Sequence, residues 1–194
     1  MNADFPTGLY DPAQEHSACG VGFLTRKDSV QSHDVLRKGH EALCAVPHRG
    51  GMSSEGVGDG AGVSVDLSLQ FFSKLTGVDL TPGMFGVGNF FLPADPAQHE
   101  RAFQIIDDAL KECEFDVAFV RDVPVNHDAI GTRAVKWQLP IRQWIFTAPE
   151  HLRGAALDSR IHEALLDIEA VAYTDPALEG LYPLSLSSRM QVFK

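Results

Sequence analysis

The amino-acid sequence predicts one domain that combines helices with strands. Its 194 residues are enough to build a single hydrophobic core, and a division into two domains would be forced. Apolar residues make up 44% of the chain and charged residues 22%, which is the balance of a folded globular protein. Stretches with helical and strand-like periodicity alternate along the chain. That order fits a parallel α/β sheet as well as an α+β arrangement of antiparallel strands, so the pattern leaves both open.

The first third of the chain predicts a strand, a helix, a loop and a second strand. Residues 19–25 alternate small and apolar side chains, as a buried strand does. Ser32 is the expected N-cap of a helix that ends before Pro47. The apolar residues of this helix recur at helical spacing: Val35, Leu36, Leu43 and Val46. The glycine-rich residues 50–62 predict a loop, and residues 61–67 predict the second strand.

The middle of the chain contains the clearest start signal of a helix. After a predicted buried strand over residues 84–92, Asp95 supplies a capping side chain and Pro96 occupies the first helical position. Gln98 completes a capping box, and the helix is expected to end near Glu114. The apolar side chains of this helix form one face: Ala102, Phe103, Ile106, Ala109, Leu110 and Cys113. Asp107-Asp108 is then expected on the solvated face.

Four further strands and one more helix complete the predicted order. The strands are expected over residues 115–123, 141–147, 181–187 and 189–194. Residues 126–136 predict a loop. Asp158 or Ser159 is the expected cap of the last helix. The inner stripe of that helix is predicted to contain Ile161, Leu165, Ile168 and Ala172.

Charge and hydropathy exclude several classes of function. The formal net charge is −10 and the pI is about 5.1, so the chain lacks the basic surface of a non-specific nucleic-acid binder. No apolar run approaches the ~18 residues that a membrane span requires. Residues 1–18 have neither the basic nor the apolar region of a secretory signal. We therefore expect a cytoplasmic protein without a nucleic-acid or membrane partner.

The cysteines and histidines predict neither a disulfide framework nor a metal site. Cys19, Cys44 and Cys113 are odd in number and widely spaced, and the eight histidines form no HExxH motif. Cys44 and Cys113 lie in apolar, helix-like patterns and are predicted to be core residues. The glycines of residues 56–62 precede a strand instead of opening a helix, and no Lys-Ser or Lys-Thr pair follows them. This argues against nucleotide binding.

Cys19 is the candidate catalytic residue because removal of residues 1–18 would make it the N-terminus. It would then carry a thiol and a free α-amine, which is a nucleophile with its own base, as in N-terminal nucleophile hydrolases. A free α-amine titrates near ~8, so a useful fraction accepts the thiol proton at neutral pH. Two simpler interpretations stay open. In the first, Cys19 is a small core residue that enters a strand. In the second, residues 1–18 are an ordinary disordered tail.

An ordered set of short motifs surrounds Cys19 and continues along the chain. These are Leu9-Tyr10-Asp11-Pro12, Glu15-His16-Ser17-Ala18-Cys19-Gly20-Val21-Gly22-Phe23, His48-Arg49-Gly50-Gly51, Gly58-Asp59-Gly60-Ala61-Gly62, Arg121-Asp122-Val123-Pro124-Val125-Asn126 and Ser185-Leu186-Ser187-Ser188-Arg189. Together they resemble the N-terminal part of the glutaminase domain of the glutamate synthase large chain, which is a class II glutamine amidotransferase. The resemblance runs from about residue 9 to the last residue.

The resemblance implies an α+β fold, the four-layer αββα sandwich of the N-terminal nucleophile hydrolases. Residues 1–18 would be a propeptide or leader, and residues 19–194 the N-terminal part of the amidotransferase domain. Cys19 would attack glutamine, and Arg49 would lie beside it and help to hold the active-site strand. Without the resemblance, Arg49 reads as a cation that complements a helix C-terminus.

The resemblance also implies the products and partners of the reaction. Glutamine would give glutamate and ammonia, and the ammonia would pass to a synthase domain or subunit. Flavin mononucleotide and an iron–sulfur cluster are expected only in that synthase part, so no cofactor is expected in this chain.

The sequence departs from the family in its substrate-binding motifs. Members continue past the Ser185–Arg189 strand to an Arg-Phe-Ser-Thr-Asn segment and a His-Asn-Gly-Glu segment, which supply the substrate-carboxylate arginine and the oxyanion hole. Neither segment occurs here, and Gly88-Asn89, Arg133 and Arg142 offer no substitute. We therefore expect a site that is incomplete on its own. The alternatives are a non-catalytic regulatory or assembly module of the same fold, and a hydrolase that acts on another amide.

Overall fold

The computed structural model describes residues 20–45 and 60–193. Four helices and six strands alternate along this part of the chain. The helices are α1 (His33–Cys44), α2 (Leu69–Thr76), α3 (His99–Glu112) and α4 (Ala155–Ala172). The strands are β1 (Val63–Asp66), β2 (Phe85–Phe91), β3 (Asp116–Asp122), β4 (Ile141–Thr147), β5 (Tyr182–Ser187) and β6 (Met190–Phe193).

The strands form two sheets, and every pairing within the described residues is antiparallel. The larger sheet has the order β3-β4-β2-β5, and the smaller sheet pairs β1 with β6. β5 and β6 are consecutive in sequence but belong to different sheets, so the chain crosses from one sheet to the other at Ser188 and Arg189. The arrangement is therefore α+β, as the family resemblance implies, and the parallel alternative is wrong.

Alternation along the central strands sends side chains to two different cores. Trp144 and Phe146 of β4 pack in the larger core with buried residues of α3 and α4. Ile145 points the other way, into a smaller core that includes Phe72 of α2 and Val87 of β2. Helices α3 and α4 therefore cover one face of the four-stranded sheet, and α2 packs on the other. Hydrogen bonds from Gln143 and Asn89 to β6 place the two-stranded sheet on that second face as well.

Most predicted elements are present, and α3 shows why. Asp95 Oδ1 accepts a hydrogen bond from the Ala97 amide at 2.9 Å and opens a short 3₁₀ turn that runs into α3. The predicted inner face is buried at Ala102, Ile106 and Cys113. Periodicity and capping are local signals, so the sequence is sufficient to locate this helix.

Two element predictions are wrong, and one helix was not predicted. Residues 20–25 form no strand and are exposed, with Val21 96% and Phe23 90% accessible. A strand requires a hydrogen-bonded neighbour, which an apolar alternation does not supply. Helix α4 begins at Ala155, after Gly154 turns the chain at φ 55°, and not at Asp158 or Ser159. Helix α2 was not predicted, although Ser68 caps its start and Gly77 ends it in the left-handed conformation.

Two boundary predictions lie outside the described residues. The leader, residues 1–18, and the start of the domain at Cys19 stay predictions. Within the described residues, no helix combines the length and the apolar character needed to cross a membrane.

Candidate active site

Both predicted catalytic residues, Cys19 and Arg49, lie outside the described residues, as does most of the glycine-rich loop. Their neighbours along the chain are described. Gly20 follows Cys19 directly, α1 leads towards Arg49, and Gly60 precedes β1. The candidate site is therefore characterised by the elements that carry the chain to and from these residues.

The segment that follows Cys19 is attached to the smaller sheet at two places. Gln31 Nε2 donates a hydrogen bond to the Leu67 carbonyl oxygen at 3.1 Å, just after the end of β1. Gly39 of α1 faces both Leu24 and Val63, because a β-carbon at Gly39 would lie 4.0 Å from Leu24 Cδ1 and 3.9 Å from Val63 Cγ2. Leu24, Gln31, α1 and β1 thus form one contiguous group.

Helix α1 begins as predicted, but its apolar face is not buried. Ser32 Oγ accepts a hydrogen bond from the Asp34 amide at 3.2 Å. Hydrogen bonds from Lys38 and then Arg37 lower the pKa of Asp34 to about 2. No residue of α1 is buried, and Cys44 is exposed, with its Sγ 3.8 Å from His40 Nε2. The prediction that Cys44 is a core residue is wrong, because helical spacing shows a face but not what covers it.

Amide side chains join the two sheets in the interior. Gln143 of β4 is fully buried, and its Nε2 donates to Asn89 Oδ1 at 2.8 Å and to Gln191 Oε1 at 3.1 Å. Asn89 Nδ2 donates to the Val192 carbonyl oxygen of β6 at 3.1 Å. Gly88-Asn89 thus lies in a core strand, as expected. The sequence interpretation missed this network, although its three amides occupy inward-facing positions of predicted strands.

Arg121 completes the network from the edge strand β3. Its Nε donates to Gln143 Oε1 at 2.9 Å, and its guanidinium carbon lies 5.7 Å from the centroid of the Phe71 ring. Burial lowers the pKa of Arg121. No ion pair joins Arg121 to a carboxylate among the described residues, so its contacts there are a neutral amide and an aromatic ring.

The motif residues Ser185 to Arg189 hold the crossing between the sheets. Ser185 Oγ accepts from the Val192 amide at 3.2 Å, and the Arg189 carbonyl accepts from the Leu67 amide at 2.8 Å. Ser188 Oγ and Arg189 Nη2 donate to the two carboxylate oxygens of Asp158 in α4, at 2.8 and 2.7 Å. Hydrogen bonds from Arg189 and then Ser188 lower the pKa of Asp158. This motif therefore has a structural role.

A cavity of about 510 Å³ lies beside β6. Asn89, Asn126 and Gln138 contribute amide groups to it, and the remaining described lining is apolar or backbone. Phe193, which also lines it, pairs with Val63 at the start of β1. None of the described lining residues is charged, so these residues supply no ionic partner for the α-carboxylate or α-ammonium of an amino acid.

Arg142 is not available to bind the substrate carboxylate, because its guanidinium has other partners. Arg142 Nε donates to Asp122 Oδ1 at 2.8 Å, and its guanidinium carbon lies 4.4 Å from the Phe103 ring centroid. Arg142 is therefore engaged at the surface of the four-stranded sheet.

In residues 20–45 and 60–193, no three His, Cys, Asp or Glu side chains are grouped so that they suit a metal ion.

Comparison with known proteins places the sequence in one family from residue 19 to residue 194. The sequence matches the family described as class II glutamine amidotransferases over residues 19–194. It is 35% identical to the glutamate synthase [NADPH] large chain of Bacillus subtilis over 193 residues, covering 96% of this chain and 12% of that protein. It is 32% identical to the corresponding large chain of Azospirillum brasilense (95% of this chain, 12% of the relative). Identity is also 32% to ferredoxin-dependent glutamate synthase 2 of Synechocystis (93% and 12%). The chain thus spans about an eighth of the length of these relatives.

Proposed function

The chain belongs to the class II glutamine amidotransferases, and on this premise we propose that it is the glutaminase part of a glutamate synthase-like enzyme. The observation that carries the proposal is the family match, which begins at Cys19 and continues to residue 194. The relatives whose names refer to glutamate synthase match over almost all of this chain. The proposed reaction is the hydrolysis of glutamine to glutamate and ammonia.

In the proposed mechanism, Cys19 is the N-terminal residue after removal of residues 1–18. Its α-amine accepts the thiol proton, and the sulfur attacks the side-chain amide carbon of glutamine. The tetrahedral intermediate expels ammonia, which leaves with the proton from the α-amine. Water then attacks the thioester, releases glutamate and restores the thiol. Arg49 is proposed to hold the strand that carries the nucleophile.

The binding of glutamine is proposed to need groups beyond the described cavity. The described lining of that cavity offers amides and apolar side chains but no charged group. We propose that charged side chains outside this cavity bind the α-carboxylate and the α-ammonium of glutamine. Ammonia is proposed to pass to a synthase domain or subunit, where its acceptor binds.

No cofactor is proposed for this chain. The three cysteines of the chain, Cys19, Cys44 and Cys113, show none of the close spacings that are typical of iron–sulfur cluster ligands. Flavin mononucleotide and the iron–sulfur cluster are assigned to the synthase part.

The experiment that tests the proposal measures the intact mass and the glutaminase activity of the protein, produced together with its neighbouring genes. We expect a mass that lacks residues 1–18, and ammonia release from glutamine. Cys19→Ala should abolish hydrolysis, while Cys44→Ala, which changes an exposed thiol on α1, should leave it unchanged.

Two results would contradict the proposal. The first is hydrolysis by protein that retains residues 1–18, because Cys19 then has no free α-amine to accept the thiol proton. A retained leader without hydrolysis would favour the non-catalytic regulatory or assembly module.

A further inference from the structure

We infer that Gln143 is a positioning residue, which fixes β6 and the group of elements attached to it on the four-stranded sheet. The inference rests on the proposed function only in its catalytic consequence. That consequence is the placement of the segment that begins at Gly20.

The position of Gln143 is defined by three directional contacts. Its side chain is 0% exposed, and its amide nitrogen directs one proton to Asn89 and the other to Gln191, while its oxygen accepts from Arg121. Within the described residues, both amide protons and one oxygen lone pair are therefore used. Because a buried amide is costly when a partner is lost, these bonds favour one orientation of the four side chains.

The contacts continue from Gln143 through β6 and β1 to α1 and Gln31. Gln191 is itself 5% exposed and lies opposite Val65 in the β1–β6 register. β1 in turn lies beside α1, because a β-carbon at Gly39 would lie 3.9 Å from Val63 Cγ2, and the Leu67 carbonyl accepts the hydrogen bond from Gln31. A displacement of β6 on the larger sheet would therefore move β1 with it, together with the residues that β1 holds at Gly39 and Gln31.

Apolar packing alone would not give the same result. A leucine or methionine at these positions would fill space, but apolar contacts have no direction and allow small sliding of one sheet on the other. Among the described residues the smaller sheet has four paired positions, so this ladder contributes little resistance. The amide contacts of Gln143 and Asn89 with β6 supply the missing direction.

The test removes two hydrogen-bond partners of Gln143, one at a time. Gln191→Met removes the contact of Gln143 with β6, and the matched control, Arg121→Met, removes its contact with β3. Backbone amide hydrogen exchange is measured in both variants. We expect Gln191→Met to accelerate exchange by about tenfold or more in β1 and β6, with β2 and β4 unchanged. Arg121→Met should accelerate exchange in β3 alone.

The catalytic readout separates positioning from stability. In the active enzyme, Gln191→Met should lower kcat for glutamine by about tenfold, while Arg121→Met should leave kcat within about twofold of the unmodified protein. If Gln191→Met does not fold, Gln191→Asn carries the same comparison, since it keeps an amide but withdraws it by one methylene.

Exchange that rises equally in β2 and β4 would overturn the inference, and so would unchanged exchange in β1 and β6. Wild-type kcat in a Gln191→Met protein with mobile β1 would also overturn it. If the unmodified enzyme hydrolyses no glutamine, the proposed function fails. The exchange comparison then still decides whether Gln143 fixes β6.

Discussion

The indole of Trp144 combines a fully apolar environment with one polar atom that needs a partner. The side chain is 1% exposed and packs edge-on against Phe90 and Phe103. Its Nε1 donates to Asp107 Oδ1 at 2.8 Å. Asp107 is exposed, as its position on the solvated face of α3 predicts, but its carboxylate also accepts the hydrogen bond of the buried indole. Which of two adjacent aspartates does so depends on the strand beneath the helix, which the sequence does not specify.

Removing the partner of the indole should therefore destabilise the protein. We expect Asp107→Ala to lower the free energy of unfolding by about 1–3 kcal/mol, because the Trp144 N–H loses its acceptor. Asp108→Ala is the matched control, with an expected change within about 0.5 kcal/mol. Urea unfolding followed by tryptophan fluorescence measures both. Equal losses in the two variants would show that the hydrogen bond contributes nothing specific.

At the scale of elements, local signals were sufficient for some helices and strands and insufficient for others. β2 and α3 could be predicted because a buried strand and a capped amphipathic helix each carry a complete pattern within their own residues. Residues 20–25 show the apolar alternation of a strand, but a strand also needs a hydrogen-bonded neighbour that is distant in sequence. α2, with eight residues, is too short for its periodicity to stand out, although its caps were readable.

β2 also contains a steric constraint that can be tested. Gly86 lies opposite Phe146 on β4, and a β-carbon at Gly86 would lie 2.3 Å from Phe146 Cζ. Because the Phe146 ring is fully buried, it has little room to move. We expect Gly86→Ala to cost about 1–3 kcal/mol of unfolding free energy.

A double-mutant cycle with Phe146→Leu provides the control. Phe146→Leu shortens the ring side chain, so Gly86→Ala should cost less in that background, with a coupling of about 0.5 kcal/mol or more. Additive effects would mean that the two residues do not meet in the folded protein.

At the scale of the whole molecule, the sequence predicts the candidate site, and the structure describes the elements that flank it in the chain. Cys19 and Arg49 were predicted from an ordered set of motifs, and they lie outside the described residues, so their roles stay predictions. The network of Gln143, Asn89 and Gln191 was not predicted, because a polar residue at an inward position acquires meaning only when its neighbours across the sheets are known. Local patterns do not carry that information.

Acid should weaken the contacts between elements before it affects the apolar cores. Hydrogen bonds from arginines lower the pKa of Asp158, which joins α4 to the sheet crossing, and of Asp122, which joins β3 to β4. A carboxyl with a lowered folded-state pKa contributes its stability above the unfolded value of about 3.9, and loses it as the pH falls through the folded value. Both pairs are partly exposed, so each contributes about 1 kcal/mol at most.

The corresponding prediction is that Asp158→Asn destabilises the protein at neutral pH and much less in acid. At pH 7 the variant loses the charge that Arg189 binds, whereas below the folded pKa the protonated aspartate resembles asparagine. Urea midpoints from pH 7 to about pH 3 should therefore converge for the two proteins. Asp108→Asn, which changes an aspartate without an ion pair in the described residues, should differ from the unmodified protein by a small amount that does not depend on pH in this way. A constant difference for Asp158→Asn across the range would mean that the ionised carboxylate is not what holds α4 to the sheet crossing.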